Sequence, residues 1–134
     1  MKRLAVVAVA LSFGCVELAV GTVRTSISEG LTGFTDRALD RYTSALITYE
    51  RGHPDEAIAI LEDAERLSPS APEIPFRRGL MLLEVHRDAE ALSPLRRAVD
   101  LAPHVPRYRD PLSLCLDRLG RHAEAVQMLK EPHT

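Results

Sequence analysis

An all-α fold, a solenoid of stacked helix pairs with an apolar helix ahead of it, follows from three features of the chain. Ala57, Ala91 and Ala125 stand at a constant step of 34 residues, and Leu61, Leu95 and Leu129 keep the same step. A fixed period of this size marks a stack of supersecondary units, each too small to bury its own apolar face. Between those positions, apolar residues recur at i, i+3, i+4 and i+7, the spacing of one helical face. The third feature is compositional: three tyrosines, three phenylalanines and no tryptophan leave a 46% hydrophobic chain to pack through small and aliphatic side chains, which suits closely approaching helices. A length of 134 residues holds one domain with a short extra segment, here about 2.5–3 helix–turn–helix units.

Residues 1–23 form the extra segment. Lys2 and Arg3 precede an apolar run from Leu4 to Val23, broken by Ser12, Glu17 and Thr22. A helix over this run rises about 1.5 Å per residue and reaches across a hydrocarbon layer of about 30 Å. Glu17 opposes insertion by about 2.5–3.5 kcal/mol at a helix centre, against about −0.3 to −0.6 for each Leu, Val or Phe. Three readings stand side by side. The segment is a retained transmembrane anchor; or a signal peptide cut after Gly21, with Ala19 and Gly21 as the small residues before the cut; or a lipoprotein signal with Cys15 acylated, although Ser12 stands where an aliphatic residue is wanted. Each sends the remainder across a membrane, and Lys2 and Arg3 place the repeats on the periplasmic or exterior side. Residues 24–37 carry two glycines and five Ser or Thr and read as a linker, with Thr35 or Asp36 capping the next helix.

The repeat domain spans 38–134 in units 38–71, 72–105 and 106–134. In the first, Ala38, Leu39, Tyr42, Ala45, Leu46 and Tyr49 form a helical stripe that stops at Gly52, and Pro54-Asp55-Glu56 opens a second helix with Pro in the first turn and acids at the positive end of its dipole. Ala57, Ile58, Ile60, Leu61, Ala64 and Leu67 make its apolar face. The second unit puts Gly79 one period after Ala45 and fills its first helix with Phe76, Leu80, Leu82 and Leu83. Pro94 falls inside its second helix, so a kink or a late start is expected there. In the third unit Asp110 and Pro111 are expected as cap and first turn of a shortened helix, followed by Leu112, Leu116 and Gly120. Val126 and Leu129 then have no following helix to cover them, and a partner, another copy or the N-terminal part is expected to do so.

The step of 34, the small residues at Ala45 and Gly79, and the Ala, Leu and Pro positions of each second helix resemble the tetratricopeptide repeat. The resemblance covers residues 38–134 and implies a right-handed solenoid. Arg41, Pro75 and Arg109 stand where the family carries an aromatic near the start of each unit. It also implies that first-helix side chains line a concave groove for a protein partner: Leu39, Tyr42, Leu46, Tyr49 and Glu50, then Glu73, Phe76, Leu80, Leu83 and Glu84, then Arg107, Asp110, Leu114, Asp117 and Arg118. Of these, Leu39, Tyr42, Leu46, Tyr49, Phe76, Leu80, Leu83 and Leu114 are the expected contact residues, and the aromatic ones the expected anchors. Tyr42, Leu46, Phe76 and Leu80 replace the Lys and Asn with which chaperone-binding members hold a terminal carboxylate, so no carboxylate clamp is expected. An apolar groove with an acidic and then mixed rim suits an amphipathic helix or extended peptide.

The remaining residues exclude several classes of function. A net charge of −2 with no long Lys/Arg run offers no field for nucleic acid. Cys15 and Cys115 make neither a disulfide framework nor a zinc pattern, and His53, His86 and His122 fall at separate turns, so no metal or cofactor is expected. No nucleophile–base set or phosphate loop is present, and the chain reads as non-catalytic. The expected function is a membrane-anchored or exported adaptor; the alternative is an accessory subunit of a membrane complex, with Glu17 paired inside the bilayer.

Overall fold

The computed structural model describes residues 33–130. The apolar run with Cys15 and Glu17, residues 24–32 and Pro132 lie outside the described residues, which all fall in one compact unit. The described residues form six helices and no strand: α1 (Asp36–Glu50), α2 (Pro54–Leu67), α3 (Glu73–Glu84), α4 (Asp88–Leu101), α5 (Arg109–Arg118) and α6 (His122–Lys130). A 3-10 turn, Pro106–Tyr108, precedes α5. Helices pack in sequence order as three pairs, each pair stacked on the next. Among the described residues, no helix is long and apolar enough to cross a membrane.

The fold begins earlier than the composition of residues 24–37 suggests. Thr35 caps α1 by accepting the Ala38 N–H at 3.3 Å, and its own N–H donates to Ser68 Oγ at 2.8 Å. The Phe34 ring meets Tyr42 edge-on, with centroids 5.2 Å apart. The stretch from Gly33 to Arg37 is therefore tied into the first unit and is no linker, because its polar groups satisfy a helix end and its one ring covers the core.

Each unit turns between its helices in the same way. Gly52 and Gly120 have φ of +86° and +77°, and one period from each stands His86 at φ +60°. The Gly52, His86 and Gly120 N–H groups donate to the carbonyls of Tyr49, Leu83 and Asp117 at 2.9, 3.2 and 3.0 Å. These bonds close orphan carbonyls at a helix end through a left-handed residue, which glycine adopts without strain and histidine does not.

The helix pairs close on small residues. Ala45, Gly79 and Ser113 stand one period apart and are buried. A Cβ at Gly79 would lie 2.5 Å from Leu95 Cγ and Cδ2, so Leu95 fills the room that glycine leaves. Ser113 takes the same place in the third pair and spends its hydroxyl on the Ala125 carbonyl at 3.1 Å. Opposite them Ala57 and Ala91 are wholly buried, as are Leu61 and Leu95, yet Leu129 is 60% and Val126 48% exposed. No described helix follows α6 to cover them.

Two expectations are overturned. Helix α4 starts on time at Asp88 and runs through Pro94, which overturns the late start. Pro94 is buried where Ile60 and Met128 stand in the other units, so its ring supplies core contact that offsets the bond lost to the Glu90 carbonyl, itself in the exposed first turn. Asp110 does not cap α5. The 3-10 turn feeds straight into the helix from Tyr108, so Asp110 and Pro111 sit within its first turn, where a missing N–H costs nothing. As expected, α5 is short, at 10 residues.

His86 is exposed and holds its left-handed conformation without a packing role. His86→Gly is expected to raise stability by about 0.5–1 kcal/mol, the αL strain less the extra chain entropy of glycine, and Tm by a few degrees. An unchanged or lower Tm in a thermal melt would show that the turn carries no such strain.

Candidate functional site

The first helices α1, α3 and α5 hold all the residues expected to contact a partner, and the structure divides them. Tyr42, Phe76 and Leu83 are core residues, 7%, 7% and 5% exposed. Leu39, Leu46, Tyr49 and Leu80 are half-buried, while Leu114 is 46% exposed. Two of the three rings read as anchors are taken up by the fold: Tyr42 by Phe34 within the first unit, and Phe76 by Tyr108 of the third, whose centroid lies 4.8 Å away. The guanidinium of Arg107 lies over both Phe76 and Tyr108, 5.5 and 4.9 Å from their centroids.

A buried carboxylate organises this end of the stack. Glu73, 5% exposed at the start of α3, accepts the Tyr42 hydroxyl from the first unit at 3.4 Å and the Tyr108 hydroxyl from the third at 3.2 Å. Arg107 binds the same oxygen as Tyr108, and Arg77 approaches the other at 3.6 Å while its Nε donates to the Tyr42 hydroxyl at 3.3 Å. Charge and hydrogen bonds together compensate an acid held out of water. Glu73 and Arg107 were expected on the open face; the structure makes them a joint. Tyr108 escaped the sequence reading because the 3-10 turn brings in an aromatic two residues before the position, Asp110, that matches Tyr42 and Phe76. An off-period aromatic beside a proline was the available signal.

Farther along the same helices, Leu80, Leu83, Pro111 and Leu114 floor a groove of about 360 Å³ between α3 and α5, with Glu84, Asp110 and Arg118 at its edges. Six of the residues expected to line the concave face meet there: Leu80, Leu83, Glu84, Asp110, Leu114 and Arg118. Arg118 is fixed across the unit boundary by the Leu83 carbonyl at 3.2 Å and by Asp88 at 3.3 Å. The Tyr49 hydroxyl donates to Glu84 from the first unit. Leu46 stands one period before Leu80, so each first helix presents a leucine at the same place; Leu39, Leu46 and Tyr49 do not line the groove itself. Ile47, 49% exposed, is an apolar surface residue that the helical stripe did not mark.

Little else invites chemistry. Cys115 is buried with its Sγ 3.1 Å from the Asp88 carbonyl, and burial pushes its thiol pKa up, away from a reactive thiolate. Among the described residues, no group of three or more His, Cys, Asp or Glu is gathered as a metal ion requires.

All three tyrosines of the chain are held protonated. Glu84, through its hydrogen bond, pushes Tyr49 up to about 12. Burial raises Tyr42, helped by the Glu73 charge and opposed by Arg77; burial also raises Tyr108, opposed by the Arg107 bond. A folded pKa above the unfolded value of about 10 means that this stability is complete below pH 10 and is lost as pH rises through the folded values. Ultraviolet titration of the native chain is therefore expected to show no phenolate step at pH 10, whereas the chain in denaturant shows all three. Glu84→Gln should return one tyrosine towards 10; identical titrations of the parent chain and Glu84→Gln would contradict the Tyr49–Glu84 bond.

No curated protein matches the chain. Among solved structures, the second TPR of Spaghetti (RPAP3), bound to an HSP90 peptide, shares 17% identity over 71% of this chain and 88% of its own, with a TM-score of 0.66. A point mutant of MamA gives 23% identity, 72% and 70% coverage and a TM-score of 0.63. The Type III secretion translocator chaperone SycD of Yersinia enterocolitica, in an alternative dimer, gives 19%, 71% and 72%, and 0.64. At these identities the likeness is one of fold. With the period, the paired helices and the recurring left-handed turn in place, residues 42–106 match the tetratricopeptide repeat family model, and this part of the chain is a tetratricopeptide repeat array.

Proposed function

We propose that this chain is a non-catalytic adaptor that holds a partner protein in the groove between α3 and α5, and that residues 4–23 keep it at a membrane, with the repeats on the periplasmic side, or export it there. The observation that carries the first half is the apolar floor of the groove. Leu114 stays 46% exposed on a helix whose other large apolar residues, Leu112 and Leu116, are 2% and 1% exposed. A leucine left out of a close-packed core, beside Leu80 and Pro111 and edged by charge, is what a helix-in-groove interface needs before its partner arrives. The structural neighbours support the reading in kind, since one is bound to an HSP90 peptide and another is a translocator chaperone.

The second half rests on the length of the apolar run, broken only by Ser12, Glu17 and Thr22, and on Lys2 and Arg3 before it. Glu17 within that run also suits a subunit packed among other membrane helices, because an acid there is costly without a partner. The intact mass of material from native membranes separates these readings. A full 14.8 kDa chain in a fixed-ratio complex supports the accessory subunit; a full-length chain without one supports the simple anchor; a chain lacking residues 1–21 supports export.

The groove is tested with a photo-crosslinking amino acid in place of Leu114, and in a second variant in place of Arg66, 74% exposed on α2, in the native host. One protein crosslinked from position 114 and absent from position 66 is the expected result. Crosslinking from position 66 alone would overturn the groove as the binding face. Leu114→Asp, with helicity unchanged by circular dichroism, is expected to abolish the product seen by a probe at Leu80.

A further inference from the structure

The charges at the groove edge favour one class of partner. Glu84 spends its carboxylate on the neutral phenol of Tyr49, so its charge is left standing. Asp110 has no ion-pair partner among the described residues, and neither does Glu50, which occupies the place of Glu84 one unit earlier. The cations are already engaged: Arg118 by Asp88 at 3.3 Å and by the Leu83 carbonyl, Arg107 and Arg77 by the buried Glu73. Among the residues lining the groove, Glu84 and Asp110 thus keep uncompensated negative charge while Arg118 is paired; the two arginines that share Glu73 do not line it. Of the arginines without an ion-pair partner among the described residues, Arg37 and Arg41 line a separate cleft with Asp40 and Asp63, and Arg51 follows Glu50 at the end of α1.

We infer that the groove takes an amphipathic helix whose apolar stripe is flanked by Lys or Arg. This rests on the groove being the binding face, as proposed above, and adds the chemistry of what binds. The apolar stripe lies on Leu80 and Leu114 and continues towards Leu46. Neighbouring helix axes lie about 8–10 Å apart, and side chains at i and i+7 of a bound helix lie about 10.5 Å apart, so one apolar residue every second turn meets one leucine per unit. Cations beside that stripe reach Glu84 and Asp110 on opposite edges. An acidic partner meets the same carboxylates without compensation, a repulsive element that sets specificity as much as the attraction does.

Two synthetic helical peptides with the same leucine stripe, one with lysines and one with glutamates on its polar face, are the probes. Each is labelled and titrated by fluorescence anisotropy into the full chain held in discs of neutral lipid, with empty discs subtracted. The lysine peptide is expected to bind at least about tenfold more tightly, several rim pairs each contributing about two- to fivefold. The preference should shrink at high salt and in the Glu84→Gln, Asp110→Asn double variant. Binding should fall for both Leu114→Asp and the milder Leu114→Ala. Equal binding of the two peptides, lost in the Leu114 variants, would overturn the charge inference and leave the groove reading standing. No binding of either peptide, or binding indifferent to Leu114, would overturn both.

Discussion

Glu73 joins what a repeat stack would otherwise leave loosely coupled. In a solenoid each unit touches only its neighbours, so stability is a sum of unit and interface contributions and the ends fray. Here one carboxylate on α3 accepts from Tyr42 in the unit before it and from Tyr108 and Arg107 in the unit after it. Three units share one buried charge. Removing such an acid leaves two phenols without their acceptor and releases two guanidiniums that reach water, a loss of about 1–3 kcal/mol. A domain of this size is stable by about 5–15 kcal/mol in all, so the node decides whether the stack unfolds as one body. On the far side, Glu65 of α2 holds Arg78 of α3 at 2.9 Å and Arg97 of α4 at 3.1 Å. There Arg78 is the more sheltered cation, its side chain 18% exposed against 38% for Arg77 and 50% for Arg107.

The rest of the stack follows from where the chain lets helices approach. Ala45, Gly79 and Ser113 face second helices that carry Ala57, Ala91 and Ala125, and larger residues at these places would separate the pairs. The larger side chains then fill the spaces between pairs, Leu61 and Leu95 fully. Leu129 has the same residue type and the same position, yet stays 60% exposed. Burial in this fold is decided by whether another pair is stacked on top.

That dependence explains what was legible in the chain. The period, the helix faces, the Thr35 cap and the left-handed turns are local or one-unit features, written in the residues that form them. Gly52 and Gly120 announce their turns, and His86 could be placed only by counting 34 residues from either. The joints between units were harder to read, because they pair residues about 35 positions apart and do not follow the helix stripe. Phe34 looked like linker, Tyr42 and Phe76 looked like surface anchors, and Tyr108 stood off the period through a 3-10 turn. An aromatic on a helix face carries no mark of whether the ring will meet a neighbouring unit or a partner.

Once those rings are assigned to the core, the surface chemistry narrows. The fold consumes the described aromatics and five of its arginines in holding its units together: Arg77 and Arg107 on Glu73, Arg78 and Arg97 on Glu65, Arg118 on Asp88. What it leaves near the α3–α5 groove is aliphatic and acidic. A groove built of leucines discriminates weakly between apolar partners, since shape tolerance in such pockets costs only about 1–3 kcal/mol per methylene. Selection among them must then come from the carboxylates at the edge, whose charge the stack leaves uncompensated even where, as at Glu84, it uses a hydrogen bond.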